Sequence, residues 1–149
     1  MSRSIVLDAG PLGLVTNPKS TPLSIACREW VIKRVAAGDQ IFVPEIADFE
    51  VRRELIRAGK TSGIRRLDTF NAQVPSRYLP LDTSAMRLAA ELWAQARTRG
   101  TPTADPKELD ADAILAAQAQ GVQGAGVIVA TTNVGHLSQF ITADIWQNI

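Results

Sequence analysis

Three carboxylates from distant segments are the residues of this sequence that could do chemistry together. Asp8 ends the apolar stretch SIVL, Glu50 lies in VPEIADFEVRREL, and Asp112 lies in DADAILAAQAQ. Carboxylates that converge on one place repel one another, and a bound divalent cation such as Mg²⁺ relieves that repulsion. A cation held in this way can activate a water molecule for the cleavage of a phosphodiester bond.

Two of these carboxylates also have ordinary structural explanations. Asp8 precedes Ala-Gly-Pro, and an aspartate in such a place is typical of a turn in which it accepts hydrogen bonds from loop amides. Glu50 lies on a polar stripe of its predicted helix, between two apolar flanks, where an ion pair with Arg53 would account for it. Taken singly, both residues leave the structural and the functional interpretation open.

The position of Asp112 on its predicted helix is harder to explain structurally. At about 100° per residue, Asp112 shares an apolar face with Leu115, Ala116 and Ala119, whereas Asp110 points nearly opposite, toward solvent. A carboxylate on the inward face of a helix is costly unless it is paired or binds a cation. The pattern therefore favours a site role for Asp112 over one for Asp110.

A polar group follows the predicted strand in VIVATTNVGHL. Thr131, Thr132 and Asn133 stand at its end, where they offer neutral oxygens and hydrogen-bond donors beside a metal or a phosphate. The alternative is a helix cap or a turn. His136, the single histidine, is interpreted as a loop residue rather than a ligand or a base.

Basic residues are concentrated between Val51 and Arg66. This stretch carries six of them against one acid, Glu54, which gives it a net charge of +5 (6 − 1). A solvated helix face and a track for a phosphate backbone are both consistent with this pattern. The six residues are Arg52, Arg53, Arg57, Lys60, Arg65 and Arg66.

The elements that must position these residues follow from apolar periodicity and from cap signals. Short apolar runs predict strands at residues 4–8, 41–43, 77–82 and 126–132, with a last strand near 144–147. Helical spacing predicts helices from Thr21-Pro22 to Gly38, from Pro44 to Arg57, and over 62–72, 83–98 and 106–120, the last capped by Asp105. We expect a loop through Gly10, Pro11, Gly13, Asn17 and Pro18, and a helical turn at 135–137.

Strands that alternate with helices predict an α/β sandwich around a mainly parallel sheet. In such sheets, sites lie beyond the carboxyl ends of the strands. Asp8 ends the first predicted strand, and Thr131 to Asn133 end the fourth. The sequence therefore predicts that these residues meet at one edge of the sheet.

Composition limits the protein to a few classes. The chain of 149 residues, with 46% hydrophobic and 21% charged residues, suits a single domain with a real core. One cysteine and one histidine exclude an intrachain disulfide, a cysteine-based zinc site and a histidine-rich metal site. No apolar run approaches the roughly 20 residues that span a bilayer, and no signal peptide is evident, so we expect a soluble cytoplasmic protein.

Four motifs in order resemble those of the PIN domain family, the metal-dependent ribonucleases that include the VapC toxins. IVLDAGPLG is similar to the opening strand with its aspartate, and VPEIADFEVRREL is similar to the helix that carries the family's glutamate. DADAILAAQA resembles an aspartate followed by a small-apolar helix, and VIVATTNVGHL resembles the strand-end motif T-x-N/D. The resemblance covers essentially the whole chain.

The resemblance implies a Rossmann-like three-layer α/β/α sandwich with a mainly parallel central sheet. It places the metal ligands at Asp8, Glu50 and Asp112, with Mg²⁺ or Mn²⁺ bound directly or through water. It implies RNA cleavage by metal-activated water, with Asn133 and Thr131 orienting metal waters or the scissile phosphate. Arg53 and Arg57 would contact the RNA, and homodimers are frequent in the family.

One departure from the family leaves a second interpretation open. Many members carry a fourth acid near the strand-end motif, where this chain has Asn133, and Gly135-His136 occupies the place where an aspartate often follows. The alternative is a catalytically silent module of the same fold that binds RNA or a protein. A toxin role would require an antitoxin protein as a further partner.

Overall fold

Five strands form one sheet in the computed structural model, which describes residues 2–99, 106–124 and 126–149. The strands are β1 (Ser4–Leu7), β2 (Gln40–Pro44), β3 (Tyr78–Leu79), β4 (Val127–Thr131) and β5 (Ala143–Ile145). Their order is β3-β2-β1-β4-β5, and every pairing is parallel.

Helices follow the strands on both faces of the sheet. The α-helices are α1 (Ala9–Val15), α2 (Pro22–Ala36), α3 (Glu45–Arg57), α4 (Thr61–Ala72), α5 (Thr83–Thr98) and α6 (Pro106–Gln120). Short 3₁₀ turns span Leu137–Gln139 and Trp146–Asn148. None of the helices in the described part of the chain has the length and apolarity needed to cross a bilayer.

Alternation along β1 shows how the sheet is covered. Ile5 and Leu7 pack with residues of α1, α2 and α4, whereas Val6 faces Leu115 of α6 on the other side. α5 packs behind α6 through Ala89. Because successive strand residues point to opposite faces, both faces of this apolar strand need a helical layer. The predicted three-layer α/β/α sandwich with a parallel sheet is confirmed.

The prediction of a loop after β1 is wrong for residues 9–15, which form α1. Asp8 caps this helix, since its Oδ1 accepts a hydrogen bond from the Ala9 N–H at 2.7 Å. Pro11 lies in the first turn, where a backbone N–H has no partner within the helix and a proline is tolerated. Buried Leu12 and Val15 then hold the helix on the sheet. The strand consequently ends at Leu7.

The predicted start of α2 is confirmed. Thr21 and Ser24 form a reciprocal capping box, with Pro22 at the first helical position. The third strand is shorter than predicted, at Tyr78–Leu79, and lies at the sheet edge as its neighbouring proline indicated. The predicted cap Asp105 lies outside the described residues.

The last elements are shifted from their predicted positions. β5 covers Ala143–Ile145 rather than 144–147, because Trp146 begins a 3₁₀ turn and is buried against Trp30. The helical turn expected at 135–137 is instead a 3₁₀ turn at Leu137–Gln139. Gly135 precedes it with a φ of 46°, a conformation in which a glycine avoids strain.

A buried glutamine fixes α6 against α3 and β3. The Gln118 amide accepts a hydrogen bond from the Ile46 N–H at 3.1 Å and donates one to the Leu79 carbonyl at 2.8 Å. Gln118 is 6% exposed, so these backbone groups have no ready access to water. Since α3 carries Glu50 and α6 carries Asp112, this glutamine also sets the relation between the two acids.

We expect Gln118→Leu to lower the free energy of unfolding by about 2 kcal/mol or more, because it leaves a buried N–H and a buried carbonyl without partners. Gln120→Leu is the matched control on the same helix, since Gln120 is exposed and its loss should change stability by no more than about 0.5 kcal/mol. Urea denaturation measures both. Equal values for the two variants would contradict the role of Gln118.

Candidate active site

The carboxyl ends of β1 and β4 meet at the point where the strand order reverses. From β1 the chain continues to β2 on one side, and β4 pairs with β1 on the other. Such a switch point opens a crevice beyond the carboxyl ends of the strands, where α/β proteins commonly bind ligands. Asp8 lies at the end of β1, and its backbone N–H donates to the Ala130 carbonyl at 2.9 Å.

The carboxylate of Asp8 is held at both oxygens. Oδ1 accepts the Ala9 N–H at 2.7 Å, and Oδ2 accepts the Thr131 hydroxyl at 2.8 Å. Asp8 is therefore the helix cap that its sequence context allowed as the structural alternative. Each carboxylate oxygen keeps a further lone pair, so the cap leaves capacity for another ligand.

Thr131 supports Asp8 from a buried position. Its side chain is fully enclosed, with 1% of the residue exposed, and its hydroxyl also accepts the Asn133 backbone N–H at 3.2 Å. A hydroxyl has one proton to donate, and the carboxylate is a stronger acceptor than the Asn133 carbonyl at 3.1 Å. Asn133 is exposed at the strand end. The strand-end motif thus supplies one buried support and one exposed amide.

Four acids lie on α3, and three of them have local structural partners. Glu45, Asp48 and Glu54 each accept a hydrogen bond or form an ion pair within the described structure. Their partners are, in order, the Leu81 N–H at 2.7 Å, Arg52 at 2.8 Å and Arg57 at 2.7 Å. Glu50 differs from them, because its surroundings are mainly unfavourable to its charge.

Glu50 lies in the combined field of the other two predicted ligands. Burial raises the pKa of its carboxyl, and the nearby Asp8 and Asp112 carboxylates raise it further. Arg53, at 4.0 Å, lowers that pKa in part. Asp8 and Asp112 are therefore both close enough to Glu50 to influence its charge. The ion pair between Glu50 and Arg53, which was the structural explanation for Glu50, is present but long.

The predicted helix face of Asp112 is confirmed by burial. Leu115, Ala116 and Ala119 are buried on α6, Asp112 is half-buried, and Asp110 is exposed. Asp112 thus lies on α6 between the buried face of the helix and its exposed face. Of the two aspartates, it is the one that influences Glu50.

The donor set suits a hard divalent cation that keeps part of its water shell. Among the described residues, no three or more Asp, Glu, His or Cys side chains are grouped closely enough to hold a metal ion by themselves. Mg²⁺ is usually bound by one or two carboxylates, with several waters completing its octahedron, and Mn²⁺ prefers similar oxygen ligands. The acids present fit such partly water-mediated binding, in which mutual repulsion is relieved by the cation.

The basic stretch is not a uniform surface. Arg52 is paired with Asp48 and Asp68, Arg57 is paired with Glu54, and Arg53 lies 5.2 Å from the centre of the Phe49 ring. Arg53 and Arg57, the predicted RNA contacts, are both exposed. The remaining three, Lys60, Arg65 and Arg66, form no ion pair within the described part of the chain.

Gly10 is a site residue that sequence reasoning did not single out. A Cβ atom at Gly10 would lie 2.5 Å from Cγ2 and 2.6 Å from Oγ1 of Thr132. A side chain at Gly10 would therefore force Thr132 or α1 to shift. The signal in the sequence was the Gly-Pro pair directly after Asp8, which was interpreted as a loop.

Three of the solved structures with a similar fold cover almost the whole of this chain. A VapBC2 structure from Rickettsia felis has a TM-score of 0.67 at 13% identity, over 96% of this chain and 98% of that one. A FitAcB structure from Neisseria gonorrhoeae has a TM-score of 0.67 at 19% identity, and the match covers 97% of this chain and 99% of that one. A VapBC structure from Salmonella typhimurium has a TM-score of 0.62 at 18% identity, and the match covers 97% of this chain and 98% of that one. The resemblance to PIN domains is thereby confirmed as a likeness of fold.

Comparison by sequence adds nothing to this likeness of fold. No family model matches the chain, and no curated protein matches it at a significant level. At such low identities the structural likeness establishes the fold alone.

We expect Gly10→Ala to destabilise the protein by about 1–3 kcal/mol, because the added methyl overlaps the Thr132 side chain. Gly13→Ala is the matched control in the same helix, where the nearest atom lies at 3.9 Å and the better helix propensity of alanine should stabilise by about 0.5–1 kcal/mol. Thermal unfolding measures both changes. The same sign for the two variants would contradict the close approach of α1 and β4.

We expect Glu50→Gln to stabilise the metal-free protein at neutral pH. A carboxyl whose pKa is raised on folding destabilises the folded state above that raised pKa, and the penalty disappears below the ordinary glutamate value of about 4.3. The gain should therefore shrink as the pH falls, with each kcal/mol corresponding to roughly 2–4 °C in Tm. Glu54→Gln, in an exposed ion pair of the same helix, should show no such gain.

Proposed function

We propose that the protein is a metal-dependent endoribonuclease that hydrolyses RNA phosphodiester bonds with Mg²⁺ or Mn²⁺ at Asp8, Glu50 and Asp112. The observation that carries the proposal is the placement of Glu50, whose charge is opposed by burial and by two further carboxylates at the switch point of a parallel sheet. Such opposition is costly without a cation, and sites of this kind are typical of functional acids.

Each residue has a role that follows from its position. A bound cation would supply an activated water and stabilise the charge that develops on the phosphate. Asp8 enters the site with its carboxylate orientation fixed by Ala9 and Thr131. Thr131 is then a positioning residue, because it acts through Asp8 from a buried location. The exposed amide of Asn133 can donate to the scissile phosphate.

The RNA contacts of Arg53 and Arg57 remain part of the proposal. Arg53 is more than half exposed and stacks near Phe49, so it can reach a phosphate while partly neutralising Glu50. Arg57 is paired with Glu54, but both side chains are exposed, and such pairs are held by no more than about 1 kcal/mol. An incoming phosphate can therefore exchange with the Glu54 carboxylate.

We expect wild-type protein to cleave single-stranded RNA with Mg²⁺ or Mn²⁺, and chelation to abolish the activity. Asp8→Asn, Glu50→Gln and Asp112→Asn should each lose roughly 100-fold or more, since a metal contributes several kcal/mol to such reactions. Asp110→Asn is the matched control, because it makes the same change at an exposed site on the same helix. A gel assay with labelled RNA measures the rates. Cleavage by Asp8→Asn or Asp112→Asn at the wild-type rate would refute the assignment.

A catalytically silent module that binds RNA or a protein is the second candidate. It is favoured by one observation, the lack of a tight three-ligand metal group among the described residues. Calorimetry with Mn²⁺ separates the candidates, because a silent module should show no heat of binding that depends on Asp8. RNA binding without cleavage in the same buffer would then support the module.

A toxin role would give the ribonuclease a protein partner. The VapBC and FitAB structures that share this fold support an antitoxin partner for this chain. The expected homodimer stays a prediction. A short open reading frame that overlaps the start of the coding sequence would support the antitoxin. The role requires such a partner, whereas RNA cleavage itself does not.

A further inference from the structure

A cleft begins beside Glu50 and runs away from the candidate site. This inner cleft, of about 610 Å³, lies between the segment joining α1 to α2 and the turn joining α3 to α4. Ala9, Gly10 and Glu50 line it where it meets the candidate site, and Lys19 and Lys60 line the loop segments on either side. It therefore leads from a carboxylate site to exposed cations.

A second cleft carries positive charge alone among the described residues that line it. This outer cleft, of about 460 Å³, lies between α2 and α4 and includes Arg28, Arg65 and Arg66. Val15 and Val31 contribute apolar surface. Guanidinium groups in a cleft without a carboxylate favour phosphate binding, because an unengaged guanidinium can donate two parallel hydrogen bonds.

The two clefts adjoin one another. Thr16 lines both of them, and Asn17 of the inner cleft accepts a hydrogen bond from Arg28 of the outer cleft at 2.9 Å. Arg28 is half-buried and held in place by this bond. The two clefts therefore adjoin at Thr16 and Arg28, which allows one extended molecule to occupy both.

The cations of this path have no acidic partners in the described ranges. Lys19, Lys60, Arg65 and Arg66 form no ion pair with a carboxylate in the described ranges, whereas Arg52 and Arg57 are paired. The inner cleft also contains Glu54, whose charge is met by Arg57. The charge of the basic stretch is therefore concentrated along the two clefts rather than spread over the helix surface.

We propose that a single-stranded RNA runs from the acidic site along the inner and outer clefts, with Lys60, Arg65 and Arg66 binding its phosphates. This inference rests on the proposed function, which places a phosphodiester bond at the acids. A polyanion with a charge at every unit matches a track of spaced cations, and backbone contacts of this kind bind without regard to base sequence. An acidic polypeptide is the rival occupant of the clefts.

The test compares two triple variants with the same change in net charge. Lys60, Arg65 and Arg66→Gln alters the clefts, and Arg87, Arg97 and Arg99→Gln alters α5 and the residue after it, outside the clefts. Fluorescence anisotropy with a labelled RNA of about 12 nucleotides, without metal, measures affinity against salt concentration. We expect the cleft variant to bind at least about tenfold more weakly at low salt and to lose about 0.7 from the salt slope per phosphate contact removed.

Cleavage separates this inference from the proposed function. The cleft variant should show a raised KM on the longer RNA and a smaller rise in KM on a dinucleotide, which is too short to reach the outer cleft. If wild type cleaves neither substrate, the proposed function fails, while the binding comparison still decides the RNA track. Equal RNA affinity and salt slope for the two triple variants would overturn the track, as would tighter binding of polyglutamate than of RNA with equal charge.

Discussion

The hydrogen bond from Thr131 to Asp8 is the constraint on which the site depends. It joins the ends of two neighbouring strands across 123 residues of sequence, at a distance of 2.8 Å and in a partly buried position. The same aspartate caps α1, so one carboxylate fixes the end of β1, the start of a helix and its own orientation. The absence of a side chain at Gly10 then lets α1 lie against the end of β4.

The arrangement of the acids in the site disfavours the charged form of Glu50 in the metal-free protein. On α3, Glu45, Asp48 and Glu54 each have favourable partners, while Glu50 meets burial and two like charges. Natural proteins commonly accept such local conflict at functional positions and compensate for it elsewhere. Here Gln118 connects α6, which carries Asp112, to the start of α3, which carries Glu50, through its hydrogen bond with the Ile46 N–H.

Positive charge is sorted by the same packing. The sequence counts six basic residues between positions 51 and 66, but the fold neutralises Arg52 and Arg57 within and between helices. The cations that remain unpaired face the clefts beside α1 and α2. The acidic end of the path would become attractive to phosphate once a cation offsets its carboxylates. A protein of almost zero net charge can in this way present a strongly polarised surface.

The sequence alone determined the order of strands and helices, and with it the layered fold, because apolar periodicity and helix caps act over a few residues. The strand and helix order, the capped start at Thr21 and the inward face of Asp112 were all readable from the sequence. Helix α1 was not, since Gly10, Pro11 and Gly13 favour a loop locally and the helix is held by the Asp8 cap and by burial of Leu12. Only the tertiary structure decided which charged groups of different elements meet. Arg52 of α3, for example, forms an ion pair with Asp68 of α4. Glu50, by contrast, lies near the like charges of Asp8 and Asp112. Those pairings depend on distances between elements, which no local period encodes.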